Sequence, residues 1–395
     1  MITTNDPPRS ADCVIVGGGI IGAASAFYAQ RAGLRTVVLE KRPQLCTLTT
    51  PASTGAFRAQ FDNPEEIALV RESIAVFENF AETVAIKNYD IALLQQGYLW
   101  LTTTRVGAEQ QKHLVNLQHG WGLTDVELLS GDEARRRFPY LAPEVISARF
   151  RRRDGWLDVK KVTMGLAAAS GATFCVETPV TGFEIDSGKL KAVRTARGNI
   201  ACDFAIIAAG PFSGAVAALA GVQLPLELRI RQKLVLPEVP EVPQNAPMTI
   251  DEDTGAHWRP AGGGAYVLFT NFSSAVTPPL EDVPTSADFY FSVLRPDSPN
   301  AVARISPFWR APWQRNTCAW YLMAGQYTYT PDHQPLLGSS PITGLYLNCG
   351  YSGHGIMGSV GGSRLVVDTI TGKVRAEQNP FRPDRQMKPK AISVL

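Results

Sequence analysis

The chain has 395 residues, 45% of them apolar and 19% charged, with a formal net charge of +2. That composition excludes disordered and fibrous classes, and so small a net charge supplies no field that would select nucleic acid. At about 100–200 residues per domain, the length implies two or three units with a sizeable buried core.

In chain order, residues 11–16 form a β-branched run that ends in glycines, followed by an alanine-rich helix over 23–32, a stop at Gly33 and a second strand over 35–40. Strand, turn, helix and strand make the first half of a parallel α/β sheet. Pro64 to Glu82 places Ile67, Val70, Ile74, Phe77 and Phe80 three or four apart, the spacing of an amphipathic helix packed on a core. Asp158 reads as the N-cap of a helix over 159–170 that Gly171 ends. Short strands are expected over 173–176, 180–185, 190–195 and 200–208, the last running into a second glycine turn at Ala208-Ala-Gly-Pro-Phe-Ser213.

From Leu224 to Arg315 proline-rich loops and aromatic β segments predict a second domain on an antiparallel sheet, before a glycine-rich return over 324–372. The expectation is a Rossmann-type α/β domain discontinuous over 1–85, 145–225 and 325–375. A substrate domain over 86–144 and 226–324 and a tail over 376–395 complete the chain. No repeat period is visible, which excludes solenoids.

Two uncharged runs, 13–29 and 204–222, approach the roughly 20 residues that span a bilayer. Glycines break both and Pro211 breaks the second, so each is read as a buried strand turning into a buried helix, not a membrane span. Six cysteines, Cys13, Cys46, Cys175, Cys202, Cys318 and Cys349, lie far apart without a C-x-x-C pair and are expected to be reduced thiols. The first ten residues lack a basic start and an apolar stretch, so no secretory signal is expected and the location expected is cytoplasmic. His113 and His119 have no third ligand nearby, so no metal site is expected. The runs Arg135–Arg137 and Arg151–Arg153 lack stacking aromatics and are expected to be solvated helix ends or contacts to a partner subunit, not a nucleic-acid surface.

Gly17-x-Gly19-x-x-Gly22 follows a strand, opens a helix, and is followed 18 residues after Gly22 by Glu40 at the end of the next strand. This is the dinucleotide fingerprint in its proper setting: Gly17 for the tight turn, Gly19 for close approach of a diphosphate, and Gly22 for helix–strand packing. Glu40 would accept from a ribose hydroxyl and disfavours a 2′-phosphate, since two anions would meet. FAD and NAD both remain open on this motif.

Four segments narrow the choice: VIVGGGIIGAASAFYAQRAGLRTVVLEK, TTPASTGAFRAQF (49–61), AIIAAGPFSG (205–214), and YTYTPDH (327–333) with GLYLNCG and YSGHGIM up to Met357. In their order and spacing the chain resembles the D-amino-acid oxidase superfamily, in its glycine oxidase, sarcosine oxidase and proline dehydrogenase β-subunit branch. The resemblance implies non-covalent FAD along the first domain, held by Gly17, Gly19, Ile20, Ile21, Gly22, Glu40 and Lys41. It further implies Ser53, Thr54 and Gly55 at the ring and diphosphate, Val180 at the adenosine, Ala209 and Gly210 at the phosphates, and Gly353, His354, Gly355, Ile356 and Met357 at the pyrimidine end. Amide donors there would favour an anionic reduced ring.

The same resemblance implies hydride transfer from the carbon bearing the amine to flavin N5, with Arg58 of the Arg-x-x-Phe pattern gripping the substrate carboxylate. His354 is the titratable neighbour expected beside the ring. Departures matter as well. In monomeric sarcosine oxidase the position matching Gly325 is the cysteine that attaches FAD, and the one matching Met357 is a lysine; here FAD is therefore expected to be non-covalent and the pocket more apolar. No lysine that would promote reaction with oxygen occurs in 265–272, which leaves oxygen or another electron acceptor open. Tyr266, Thr270 and His257 either face the substrate or are plain sheet positions. Alongside an amino-acid or secondary-amine oxidoreductase stand two other readings: a β-like catalytic subunit of a proline or opine dehydrogenase within an oligomer, and a flavin-binding scaffold without turnover.

Overall fold

The computed structural model describes residues 2–270, 274–315 and 319–390. Its central sheet has seven strands in the order Ile2–Thr4, Thr173–Cys175, Thr36–Leu39, Cys13–Val16, Phe204–Ile207, Leu345–Cys349 and Leu336–Ser339. All neighbours are parallel except the last pair. The inner strands are buried on both faces, which is why they read as unbroken apolar runs and not as alternating ones. Helices Ile20–Arg31, Pro64–Glu78, Val159–Ser170 and Gly355–Ile370 share the core on one face. Strands Val180–Asp186, Lys189–Thr195 and Gly198–Ala201 form a small antiparallel sheet over the other.

A second sheet has eight strands: Tyr321–Tyr329, Glu227–Leu236, Gly264–Phe269, Ala256–Ala261, Met248–Asp251, Tyr98–Thr102, Ser147–Arg151 and Glu127–Ser130. Its pairs are antiparallel apart from Met248–Asp251 with Tyr98–Thr102. One face packs on a core holding Leu234, Trp258, Val267 and Trp309. Along its strands the residues of opposite parity, Lys233, Arg259, Tyr266 and Tyr98, face the other way, as a two-residue period requires. The chain is thus of mixed α/β class, a parallel α/β domain beside an antiparallel sheet, as the sequence leads one to expect. Ser147–Arg151, inside the stretch assigned to the first domain, pairs in this second sheet.

Local readings hold closely in places and fail in others. Asp158 accepts from the amides of Lys160 and Lys161, and Gly171 ends that helix in the left-handed region. The helix from Pro64 stops at Glu78, because the Asn79 side chain bonds back to the Ala75 carbonyl and the backbone leaves helical geometry there. The single strand expected over 200–208 is two: Cys202 still donates to Lys191, whereas Phe204 donates to Asp12, so the chain changes sheets at Asp203. The arginine runs are largely paired: Arg151 is buried against Asp154 and Asp125, Arg153 meets Glu78, and Arg137 meets Glu127. In the tail, Phe381 is buried and Arg385 pairs with Asp332. Among the described residues no helix is long and apolar enough to cross a membrane, and no group of histidine, cysteine and acidic residues could hold a metal. Cys318 lies outside the described residues, and the other five cysteines are free and buried.

Candidate functional site

The strand Cys13–Val16 ends at Gly17, whose φ of 117° suits glycine. A Cβ on Gly22 would overlap the carbonyl oxygen of Gly17, so the helix starting at Ile20 can sit directly on the turn. Its N-cap, Gly19, has no side chain to cap the first turn. Thr50 Oγ1 approaches the Ile20 amide at 3.4 Å. These amides and the positive end of the helix dipole face a cavity of about 410 Å³.

Gly17, Gly19, Ile20 and Ile21 line that cavity together with Glu40, Lys41, Ser53, Val180, Ala209, Gly210, Gly353, Gly355 and Ile356. Glu40 accepts from the Gly18 amide at 2.8 Å and the Arg42 amide at 2.9 Å, which fixes its carboxylate at the cavity edge. Lys41 pairs with Glu281 and lies 3.1 Å from the centroid of the Phe212 ring. Other predicted residues are not brought to this wall. Gly22 packs behind the turn, and Gly55, at φ 72°, fits against the Leu157 carbonyl. Met357 is buried in the core beside Val360. Thr54 lines a separate cavity of about 20 Å³ with Ser53, Arg231, Lys233 and Tyr327.

Arg58 is buried where the parallel domain meets the eight-stranded sheet. It donates to the Gln60 carbonyl at 2.8 Å, and its guanidinium lies 4.2 Å from the Phe61 ring centroid and 5.4 Å from that of Trp100. The Arg-x-x-Phe spacing is therefore a cation–π contact within one loop. Asp154 holds this loop, accepting from the Ala59 amide at 2.9 Å and the Gln60 side chain at 3.0 Å while paired with Arg151. Burial, with Arg149 also near, lowers the Arg58 pKa from its ordinary value.

His354 Nε2 lies 3.2 Å from an Arg58 nitrogen, and its Nδ1 lies 3.4 Å from Glu66 Oε1, an ion-pair distance without a well-formed hydrogen bond. Burial pushes the His354 pKa down, the Arg58 charge adds to this, and Glu66 opposes both. His257 is buried in a strand with Nδ1 2.9 Å from the Gly255 carbonyl, and burial takes its pKa to about 4.

Several functional candidates escape a reading by motif. Tyr98 is buried and Tyr327 half-buried near Arg58, and desolvation raises both hydroxyl pKa values, that of Tyr327 to about 12. Lys233 donates to the Ser53 carbonyl at 2.7 Å, and Arg259 donates to the Thr54 carbonyl at 2.6 Å. The Tyr266 ring lies 4.5 Å from the Lys233 ammonium and 4.4 Å from the Arg259 guanidinium. Burial, then the Arg259 charge, takes the Lys233 pKa to about 8. A signal was present: Arg229-x-Arg231-x-Lys233 puts three cations on one face of a strand.

The main cavity fits a dinucleotide. Bare backbone at the glycine turn suits a diphosphate, Glu40 suits a ribose, Val180 and Val216 give an apolar flank, and Thr49 Oγ1 is buried on the wall without a hydrogen-bond partner. The comparisons specify which dinucleotide. Residues 12–369 match the family model described as FAD dependent oxidoreductase. The chain is 27% identical over 411 residues to FAD-dependent oxidoreductase domain-containing protein 1 of Xenopus laevis, covering 92% of this chain and 80% of that one. It is 26% identical over 391 residues to sarcosine oxidase subunit beta of Arthrobacter sp, covering 96% and 92%. Among solved structures, L-proline dehydrogenase from P. horikoshii superposes with a TM-score of 0.81 at 23% identity, covering 95% of this chain and 98% of that one. The chain belongs to the family of FAD-dependent oxidoreductases typified by D-amino-acid oxidase, and its cofactor is FAD.

Proposed function

We propose that this protein oxidises the C–N bond of an amino acid or secondary amine. The observation that carries the reading is Arg58, a buried guanidinium at the junction of the FAD-binding domain and the aromatic face of the eight-stranded sheet. A planar fork of donors in a low-dielectric site suits a substrate carboxylate. The sarcosine-oxidising relative and the proline dehydrogenase fold support an amine as the reduced substrate.

When bound, FAD supplies a two-electron acceptor for a hydride. Gly17, Gly19, Ile20 and Ile21 would hold its diphosphate, Glu40 its ribose, and Ser53, Gly353, Gly355 and Ile356 the redox end, with Gly325 leaving the attachment non-covalent. The protein's further contribution is position. Arg58 fixes the carboxylate, Tyr98 and Trp100 wall the substrate from water, and holding the donor carbon in place supplies most of the rate. His354 stays neutral because a guanidinium has only donors to offer it, so its Nε2 must accept from Arg58. It steadies Arg58 and holds its single proton at Nδ1, facing Glu66.

Anaerobic addition of glycine, sarcosine, proline, hydroxyproline or an opine to the yellow protein tests the reading. Bleaching by one of them is expected. Recolouring in air then identifies an oxidase, and a persistently bleached protein identifies a dehydrogenase that hands electrons to another acceptor. A flavin that none of these amines reduces would leave a scaffold without turnover.

A further inference from the structure

Three buried cations face the junction beside Arg58 without a carboxylate. Arg231, Lys233 and Arg259 are 8%, 3% and 6% exposed. Among the described residues none of them forms an ion pair. Their donors go to neutral oxygens: Arg231 to the Tyr329 and Ser274 hydroxyls and the Ile230 carbonyl, Lys233 to the Ser53 carbonyl, Arg259 to the Thr54 and Pro260 carbonyls. Arg231 Nε is buried with no hydrogen-bond partner. Buried charges are almost always paired, because removing an ion from water is costly unless a counter-charge replaces the lost solvation.

The arrangement is also directional. Lys233 and Arg231 lie two residues apart on one strand and line the same small cavity with Thr54 and Tyr327. Tyr266 lies on the strand between those of Lys233 and Arg259, and both cations lie against its ring. The Tyr98 hydroxyl feels the fields of both Arg58 and Arg259, and the Tyr327 hydroxyl those of both Arg231 and Arg58. Each phenol is thus near Arg58 and near one of the other three cations. None of those three lines the main cavity, where the glycine turn receives the diphosphate.

We propose that the substrate carries two carboxylates, one gripped by Arg58 and the second received by Lys233, Arg231 and Arg259. The chemical class is a dicarboxylic amine, with the second carboxylate on the nitrogen substituent or on the side chain. This rests on the amine-oxidising reading above. A second anion replaces the carbonyl contacts of Lys233 with a charge-assisted pair and neutralises part of the buried excess.

Thiodiacetate and (methylthio)acetate test it, since both carry sulfur in place of the amine nitrogen and differ by one carboxylate. Titration of the FAD-loaded protein at pH 7, read by perturbation of the flavin spectrum, is expected to show thiodiacetate binding at least about tenfold more tightly. Lys233→Met, yellow and folded by its spectrum, should bring the two acids to within about threefold. Equal affinities in the wild-type protein, or a full difference retained in Lys233→Met, would overturn the second anion site. If amines still bleach such a protein, the amine-oxidising reading stands alone. A protein that neither acid perturbs and no amine bleaches overturns both.

Discussion

Arg58 donates to Nε2 of His354 across 3.2 Å, and this contact joins the loop after the first helices to the turn that opens the last one. It makes the histidine part of the apparatus that aims the guanidinium. It also fixes the tautomer, because one acceptor nitrogen leaves the other to carry the proton.

Arg58→Ala should weaken binding of the amine substrate by roughly 10- to 100-fold, the worth of a charge-assisted hydrogen bond in a desolvated site. The variant should stay yellow, since Arg58 does not line the main cavity. Spectral titration checks both; unchanged affinity would remove Arg58 from the substrate's contacts.

Gly22→Ala puts a methyl group onto the Gly17 carbonyl oxygen, so the helix must lift from the turn that would hold the diphosphate. We expect a largely colourless preparation with a lowered melting temperature. The ratio of flavin to protein absorbance measures the first effect and calorimetry the second. Gly33→Ala makes a useful contrast: its site is open, though its φ of 84° still disfavours a side chain, so it should lose stability and keep its colour.

Asp154 is fully buried, and its carboxylate ties Arg151 to the backbone and side chain of the loop beside Arg58. Asp154→Asn leaves Arg151 short of a buried counter-charge, which should lower unfolding stability by about 3–5 kcal/mol. Denaturant melts would show it. A loss under ~1 kcal/mol would mean that Asp125 alone satisfies Arg151.

Lys233 supplies a pH signature. Its folded pKa, about 8, lies below the ordinary 10.5, so the charged form is disfavoured by folding. The resulting penalty is fully present below about 8, shrinks as the pH rises, and is gone above 10.5. Facing the ammonium are Arg259 and Tyr266 on neighbouring strands, the Ser53 carbonyl, and Arg231 and Tyr327 in the small cavity, with no carboxylate among the described residues. Lys233→Met should therefore raise unfolding stability at pH 7 by about 1–3 kcal/mol, and the gain should fade towards pH 10. A pH-independent gain would point to better apolar packing instead.

The sequence by itself determined what depends on neighbours along the chain. Unbroken apolar runs beside glycines specify parallel strands and their turns, Asp158 and Gly171 bracket a helix through caps a few residues long, and the Gly17–Gly22 spacing specifies a turn that only bare backbone can make. Resemblance in four segments added FAD, because the order of those segments carries information that no single motif does. Where competing local bonds were decisive, as at Asn79 and Asp203, the element boundaries went astray, since periodicity does not register a side chain bonding back to its own helix or a strand changing partners.

Only the tertiary structure decided the company each side chain keeps. It moved Met357 into the core, buried Arg151 against two aspartates, and buried Lys233, Arg231 and Arg259 with no carboxylate paired to them among the described residues. Their charge is legible in the sequence, but its burial is not. Desolvation depends on what packs above a sheet face, and here that cover comes from the Ser53–Thr54 backbone, roughly two hundred residues away.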